Sequence, residues 1–400
     1  ARRADAELER GLPRGPLHGV PWGAKDLLAV RGYPTTWGAG PYRDQVIDED
    51  AAVVRRLDEA GAVLVAKLTL GELAWGDVWF GGMTRNPWKL DQGSSGSSAG
   101  PAATTAAGLV GFAIGSETWG SIVSPSTRCG VTGLRPSFGR VSRHGAMALS
   151  WSMDKLGPMC RSVEDCALVF EAIHGADGLD PTAVDRAFAW DAELDLGQLR
   201  VGFLRSLFER EPEPEEDEDP ARLREAHALE LAVLDALRSL GIEPVPIELP
   251  DLPVGSLSFI LSAEAAAAFS ELTLGNRDDE LVRQVDQAWP NVLRQARTIP
   301  AVEYLQANRV RTLLMHEMAR AFAEVDVVVA PSFTGDTLLL TNLTGHPAVV
   351  VPDGFTADGT PTSITFLGRL YGEAETLAVA RAYQEATGFH LRHPVLGAGG

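Results

Sequence analysis

Apolar residues follow two different periods along this chain, and the two periods alternate from one segment to the next. Residues 50–61, DAAVVRRLDEAG, place apolar side chains at helical spacing and end on a glycine, which is typical of an amphipathic helix with a C-terminal cap. The following segment, GAVLVAKLTL at 61–70, is an almost continuous apolar run and predicts a buried strand. This order of helix and strand indicates layers of helices packed on a sheet.

The same alternation continues to the end of the chain. Further helices are predicted over 99–110, 162–175, 220–240, 262–274, 301–323 and 375–388. Further strands are predicted over 111–117, 199–204, 242–249, 324–332, 346–355 and 362–369. Ser162 precedes one of these helices and has acidic residues just after it, as an N-terminal capping residue does. Because strands recur from end to end without an internal repeat, one large α/β domain is favoured over two separable ones.

Composition narrows the choice of partners. The 400 residues include 35 Lys and Arg against 54 Asp and Glu, which gives a formal net charge of −19. This acidity opposes binding to nucleic acid or to an anionic membrane surface, since both require a basic footprint. No uninterrupted apolar run reaches the roughly 18 residues of a membrane span. The acidic, proline-rich stretch at 209–220 is interpreted as a solvated surface connector.

The cysteines and the N-terminal residues bear on the cellular compartment of the protein. Cys129, Cys160 and Cys166 show neither a metal-type spacing nor an even count, which fits a reducing compartment without a disulfide framework. The first residues, ARRADAELERG, are polar and lack the apolar centre of a secretory signal. A cytoplasmic location is therefore expected, with a removed N-terminal signal as the alternative.

Common catalytic and metal-binding motifs do not account for this sequence. Its eight histidines are scattered and form no HExxH pattern or Cys/His cluster. It contains neither the phosphate-binding pattern GxxxxGK[ST] nor a GxSxG elbow with a later Asp and His. Neither a metal nor an organic cofactor is therefore expected.

A dense Ser/Gly zone at 93–121 carries the candidate chemistry instead. It begins with GSSGSSAG, which holds four serines, and ends in GSETWGS, whose last residue is Ser121. Successive backbone N–H groups in such a turn can form an anion-binding nest, which beside a serine becomes an oxyanion hole. Lys25, in the apolar setting VPWGAKDLLAV, is a candidate base because desolvation lowers the pKa of a lysine. From these residues alone, a catalytic loop and an ordinary Gly/Ser linker both stay open.

Several segments, in the same order along the chain, resemble the amidase signature family. They are GPLHGVPWGAKD, RNPW, GSSGSSAGPAA, GSETWGSIVSPSTRCGVTGLRPSFGRVS, SMDKLGPMCRSVEDCA, NLTGHPAVVVPDGF and FLGRLYGEAETLAVARAYQEATG. The resemblance covers nearly the whole chain and is most specific over a signature core at about 16–175. It implies an α/β fold with a large mixed central β-sheet covered by helices on both sides, in a single amidase domain over 1–400.

The resemblance also implies a Ser–cis-Ser–Lys triad. Lys25 matches the family's lysine, and Ser121 matches the serine that becomes acylated. The backbone N–H groups of Thr118, Trp119 and Gly120, together with that of Ser121, would form the oxyanion hole.

The bridging serine is ambiguous because the Gly-Ser-Ser step occurs twice. Ser97 has the family's spacing both to Ser121 and to Asn86 of the RNPW segment. Ser94 would need a three-residue insertion in a segment that otherwise aligns without gaps. The prediction is therefore Ser97, preceded by a cis peptide bond from Gly96, with Ser94 as the alternative.

Three features depart from the family pattern. Trp119 stands where the family has Gly, and its ring is expected either to line the acyl pocket or to pack in the core. Val123 stands where members often have Arg, which weakens the case for a small carboxylate-bearing substrate. The segment SFTGDTLLLTN, at 332–342, is short beside many relatives and suggests a trimmed substrate-facing loop.

Other aromatic and basic residues are weaker candidates for the site. Trp75, Trp79 and Trp151 are candidates for an aromatic pocket, although ordinary packing is the favoured interpretation for each. Lys67 is the rival lysine, and the resemblance places it in the scaffold.

The function implied is that of an amidohydrolase acting on a small-molecule amide. Ser121 would form an acyl-enzyme, and a Lys25–Ser97 relay would carry protons, so that a carboxylic acid and ammonia or an amine are released. One alternative is the glutaminase subunit of a tRNA-dependent amidotransferase, against which Trp119 and Val123 count. The other is a catalytically inactive binding or scaffold relative, against which the three intact triad residues count. A homodimer is among the expected assemblies.

Overall fold

The computed structural model describes residues 1–211 and 219–396. Residues 212–218, at the centre of the acidic stretch interpreted as a connector, lie outside the described residues. The strands, in chain order, are β1 (Pro21–Lys25), β2 (Val63–Leu68), β3 (Val78–Trp79), β4 (Gly82–Met83), β5 (Arg85–Asn86), β6 (Lys89–Gly93), β7 (Phe112–Glu117), β8 (Thr132–Arg135), β9 (Lys155–Cys160), β10 (Val201–Leu204), β11 (Val245–Ile247), β12 (Val327–Pro331), β13 (Ala348–Phe355) and β14 (Pro361–Gly368). The α-helices, in chain order, are α1 (Arg2–Glu9), α2 (Ala52–Glu59), α3 (Ala99–Ala106), α4 (Val123–Cys129), α5 (Val163–Ile173), α6 (Arg205–Phe208), α7 (Pro220–Ser239), α8 (Phe259–Ala268), α9 (Ser270–Leu274), α10 (Trp289–Ala296), α11 (Ala301–Ala321), α12 (Thr337–Thr344) and α13 (Glu373–Thr387).

Ten strands form one sheet in the order β11-β10-β12-β14-β13-β8-β9-β7-β1-β2. Strand β1 is parallel to β2 and β7, and β10 is parallel to β11 and β12, whereas the pairs in the middle of the sheet are antiparallel. The predicted α/β fold with a large mixed central sheet is therefore confirmed.

Both faces of this sheet are buried. Along β12, Val327 and Val329 belong to one apolar cluster, whereas Val328 and Ala330 belong to a second. Because successive side chains of a strand point to opposite faces, these two clusters lie on the two sides of the sheet. The predicted cover of helices on both sides is thus confirmed. Strands from Pro21 to Gly368 share the sheet, and the single domain over 1–400 stays a prediction that this arrangement supports.

Most predicted helices and strands correspond to elements of the structure, with two differences. The helix predicted over 262–274 is in fact two helices, α8 and α9, which meet at Phe269. The segment 332–342 contains the start of α12, so it is not only a connecting loop. The capping role of Ser162 is confirmed, since its side chain accepts a hydrogen bond of 3.0 Å from Asp165 N–H. No helix in the described ranges is long and apolar enough to cross a bilayer.

The topology brings the candidate residues to one edge of the sheet. Strands β1 and β7 are parallel neighbours, with Ala24 opposite Ile114, so their C-terminal ends lie side by side. Strand β1 ends at Lys25 and β7 ends at Glu117, just before the turn that leads to Ser121.

Candidate active site

Lys25 lies at the centre of a cluster of serine hydroxyls. Its side chain is completely buried, and Nζ lies 2.7 Å from Ser97 Oγ. The same nitrogen lies 2.9 Å from Ser98 Oγ and 2.9 Å from Ser116 Oγ. Lys25 and Ser97 are therefore in contact, as predicted. Ser98 and Ser116, which the sequence did not single out, also contact Lys25.

Burial controls the protonation of Lys25. Removal from water holds the pKa of Lys25 well below its ordinary value, and the carboxylates of Asp154 and Glu117 oppose this only in part. Burial therefore favours the neutral amine, whose Nζ can accept a proton.

The second Gly-Ser-Ser step, not the first, contacts Lys25. The peptide bond between Gly96 and Ser97 is cis, as expected for the bridging position. A Cβ at position 96 would lie 1.8 Å from Gly76 O, so only glycine fits there. Ser94 turns away, and its Oγ donates to Ser95 O at 3.0 Å. The geometry thus favours Ser97 over Ser94.

Ser121 lies in a turn whose backbone N–H groups are open. Gly120 has a φ of +88°, which favours glycine at this position. In the part of the chain that the structure describes, none of the N–H groups from Thr118 to Ser121 donates to a protein acceptor. Four successive open donors beside a serine form the kind of nest that binds an oxyanion.

Backbone contacts hold the serine loops together. Ser98 N–H donates to Ser121 O at 3.2 Å, which fixes the two serine segments against each other. The hydrogen bonds among the described residues do not include one between the Ser97 and Ser121 side chains. Distances between catalytic groups often shorten only when substrate binds.

Glu117 anchors the end of this turn. Its Oε2 accepts hydrogen bonds from Ile122 N–H at 2.8 Å and from Val123 N–H at 3.0 Å. Its Oε1 accepts from Arg135 Nη1 at 2.8 Å and from Asn342 Nδ2 at 2.7 Å. Burial alone would raise the pKa of Glu117, but Arg135 and these hydrogen bonds lower it to about 2. The carboxylate stays ionised and occupies the N–H groups just after Ser121.

Asp154 supports the other end of the turn. It accepts a hydrogen bond of 2.5 Å from Thr118 Oγ1, and its second oxygen accepts from Leu149 and Ser150 N–H at 2.8 and 2.9 Å. Burial raises the pKa of Asp154, and the same hydrogen bonds counteract this effect. Sequence reasoning missed both Glu117 and Asp154, although Glu117 lies within the Ser/Gly zone.

A cavity of about 330 Å³ reaches the site from one side. It touches Ser116 and Thr118, and Trp151 forms part of its wall. Its other walls are mainly apolar and include Leu27, Met147, Leu149 and Leu156. The cavity can therefore accommodate an apolar group next to the N–H nest.

The tryptophans have different environments. The alternative of a core position for Trp119 is wrong, because 46% of this residue is exposed beside the nest. Trp75 packs edge-on against Trp289 with ring centroids 5.1 Å apart, and Trp79 packs against Phe80 at 4.7 Å. These contacts fit the packing interpretation.

The remaining candidates belong to the surroundings of the site. Lys67 forms a 2.7 Å ion pair with Asp26 and donates to Leu28 O at 2.7 Å, which agrees with a scaffold role. Val123 is buried at the start of α4. No group of three or more His, Cys, Asp or Glu side chains that could hold a metal occurs in residues 1–211 and 219–396.

Comparison with known proteins identifies the family. The Amidase family model matches residues 1–377, and the chain belongs to this family. It is 36% identical to the A subunit of the glutamyl-tRNA(Gln) amidotransferase of Roseiflexus castenholzii, over 98% of this chain and 87% of that relative.

Solved structures show the same fold. The native peptide amidase from Stenotrophomonas maltophilia superposes with a TM-score of 0.84 at 30% identity, over 100% of this chain and 88% of that one. The A subunit of the glutamyl-tRNA(Gln) amidotransferase from Thermotoga maritima superposes with a TM-score of 0.77 at 27% identity, over 92% and 84%. The chain is thus an amidase-family hydrolase acting on C–N bonds.

Proposed function

We propose that this protein is a cofactor-independent serine amidohydrolase that cleaves linear carboxamides of small molecules. The observation that carries the proposal is the position of Lys25, completely buried and 2.7 Å from Ser97 Oγ, beside a turn of open N–H groups that contains Ser121. A neutral lysine, a bridging serine and an oxyanion nest together supply what acyl transfer requires.

The first half of the reaction forms an acyl-enzyme. Neutral Lys25 takes a proton from Ser97, and Ser97 takes one from Ser121, whose Oγ attacks the carbonyl carbon of the amide. The N–H groups of Thr118, Trp119, Gly120 and Ser121 stabilise the negative charge that develops on the carbonyl oxygen.

The second half releases the products. The C–N bond breaks as the relay returns a proton to the leaving nitrogen, and ammonia or an amine departs. Water then attacks the acyl carbon, losing a proton to the same relay, and Ser121 recovers its proton when the carboxylic acid leaves.

The acyl group is assigned to the cavity of about 330 Å³ that touches Ser116 and Thr118. Its apolar walls favour an aliphatic or aryl acyl group. The exposed ring of Trp119 lies beside the nest and is assigned to the rim of this site.

The two Gly-Ser-Ser steps provide a matched test of the relay. Ser97→Ala should lower kcat for a linear amide such as phenylacetamide by about 10²- to 10⁴-fold, because the path between Lys25 and Ser121 is interrupted. Ser94→Ala, in the equivalent place of the first step, should lower it less than about threefold. Equal losses in the two variants would contradict the assignment of Ser97.

A second candidate is a glutaminase subunit of a tRNA-dependent amidotransferase. It is favoured by the 36% identity to a protein of that name, and Trp119 and Val123 count against it. Purified alone, the chain should hydrolyse phenylacetamide faster than glutamine. Activity confined to glutamine, and present only together with other subunits, would favour the amidotransferase.

A further inference from the structure

A second cavity, of about 550 Å³, begins beside the same serine segments. Ser95, two residues before Ser97, and Ser124, three residues after Ser121, both contribute to its wall. Helices α4, α6 and α7, the residue Arg210, the first residues of β14 and the connector at 333–335 provide the rest. We call it the Arg128 cavity, after an arginine in its wall.

One face of α4 leads from the proposed nucleophile into the Arg128 cavity. Ser124 N–H donates to Gly120 O at 2.8 Å, so the helical turn already includes Ser121. Ser121, Ser124 and Arg128 follow one another at spacings of three and four residues, which places them on one face of a helix. At a rise of 1.5 Å per residue, the Arg128 backbone lies about 10 Å along the axis from Ser121.

Two arginines in the wall of the Arg128 cavity, Arg128 and Arg222, form no ion pair with a carboxylate among the described residues. The side chain of Arg128 forms no ion pair or hydrogen bond in the described part of the chain, and Arg222 donates to Thr360 Oγ1 at 3.2 Å. Arg210 also contributes to the wall.

The described residues contribute one acidic side chain to the wall, Glu230. It lies 3.4 Å from His227 Nδ1 and forms no ion pair with Arg128 or Arg222 among the described residues. The hydroxyls of Ser95 and Ser124 form no hydrogen bond within the described ranges and add open donors. Arginines and hydroxyl donors around one cavity are the groups that bind a carboxylate.

Resting on the proposed function, which assigns the acyl group to the cavity of about 330 Å³, we propose that the Arg128 cavity binds a carboxylate group on the amine part of the substrate amide. The family's arginine at position 123 is replaced by Val, which disfavours a small substrate with a nearby carboxylate. Arg128 lies further along the same helix, so it selects a longer substrate with a distant one.

A pair of synthetic amides tests this inference. Phenylacetyl-6-aminohexanoate, which carries the carboxylate on its amine part, is compared with phenylacetyl-pentylamide, whose amine part is neutral. We expect kcat/KM to be at least about tenfold higher for the charged amide, mainly through a lower KM.

Substitutions connect this preference to the cavity. Arg128→Gln and Arg222→Gln should bring the charged-to-neutral ratio of kcat/KM close to one. Arg224→Gln serves as the matched control, since Arg224 is exposed on the same helix as Arg222 and does not line the Arg128 cavity. It should leave the ratio as it is in the unmodified protein.

The outcomes separate this inference from the proposed function. Turnover of neutral amides that depends on Ser121, without any charged-to-neutral preference, would overturn the inference and leave the proposed function standing. A preference that persists in both Arg128→Gln and Arg222→Gln would also overturn it. Absence of turnover for every amide, including phenylacetamide, would overturn the proposed function and the inference with it.

Discussion

Lys25 is the residue on which the proposed chemistry depends most. Buried lysines are usually paired with a carboxylate, but the direct partners of Lys25 Nζ are the hydroxyls of Ser97, Ser98 and Ser116. Since no carboxylate of the described residues is in direct contact with Nζ, burial dominates and the pKa of Lys25 is well below its ordinary value. The residue is thus prepared to act as a base.

This state of Lys25 predicts the pH dependence of the reaction. Below its pKa, Lys25 is protonated and cannot take a proton from Ser97, so kcat/KM should fall as the pH is lowered. Lys25→Ala should lower kcat by about 10²- to 10⁴-fold and remove this acid limb. The measurement is a pH profile for phenylacetamide, with Lys67→Met as the control that should keep the limb. An unchanged rate in Lys25→Ala at pH 7 would contradict the relay.

At the scale of elements, the buried carboxylate of Glu117 holds the start of α4 in place. Glu117 ends β7, and its carboxylate binds the N–H groups of Ile122 and Val123 at the beginning of the helix. It is also paired with the fully buried Arg135. The turn that connects β7 to α4 contains the open N–H groups, and it is therefore fixed at both ends.

Removal of this charge should destabilise the protein. Glu117→Gln leaves Arg135 buried without its partner, and we expect the free energy of unfolding to fall by about 3–5 kcal/mol. Urea unfolding at pH 7 measures this, with Asp235→Asn as the control, because the Asp235–Arg238 pair is exposed and contributes little. A loss below about 1 kcal/mol in Glu117→Gln would show that the pair is not a major anchor.

The sequence predicted helices and strands whose apolar residues form a clear pattern, and it missed elements without such a pattern. Helix α2 was predictable because its apolar residues recur at helical spacing. Strands β12 and β13 were predictable because each is a continuous Val-rich apolar run. Helix α12, TLLLTNLT, is buried nearly all round, so it has no polar face to show a helical period. The two-residue strands β3, β4 and β5 are too short for any pattern.

The same contrast holds for the site. Lys25, Ser97 and Ser121 were predicted because the resemblance carries their spacing. Asp154 was missed, since its contact with Thr118 joins positions 36 residues apart and no local signal marks it. The exposure of Trp119 likewise depends on which side chains pack around the turn, and this packing cannot be read from the local sequence.

At the scale of the whole molecule, buried acidic groups couple stability to pH. Asp353 lies on β13 and is almost completely buried. Burial, with the nearby charge of Glu230, raises the pKa of Asp353 to about 7. Between about pH 4 and pH 7 the folded protein therefore holds a proton that the unfolded chain has released, so stability falls as the pH rises through this window.

Asp353→Asn should remove this part of the pH dependence. The amide resembles the protonated acid but does not titrate, so the variant should lose less stability than the unmodified protein between pH 5 and pH 8. Urea midpoints at the two pH values measure the difference, and Asp44→Asn provides a surface control. An identical loss of stability between pH 5 and pH 8 in both proteins would show that Asp353 does not contribute.

The homodimer and the cytoplasmic location stay predictions from the sequence.

Covalent labelling tests the central claim most directly. A fluorophosphonate probe should add to one site, and peptide mass spectrometry should locate the adduct on Ser121. Labelling should vanish in Ser121→Ala and persist in Ser94→Ala. An adduct on another residue, or labelling that survives in Ser121→Ala, would contradict the assignment of Ser121 as the nucleophile.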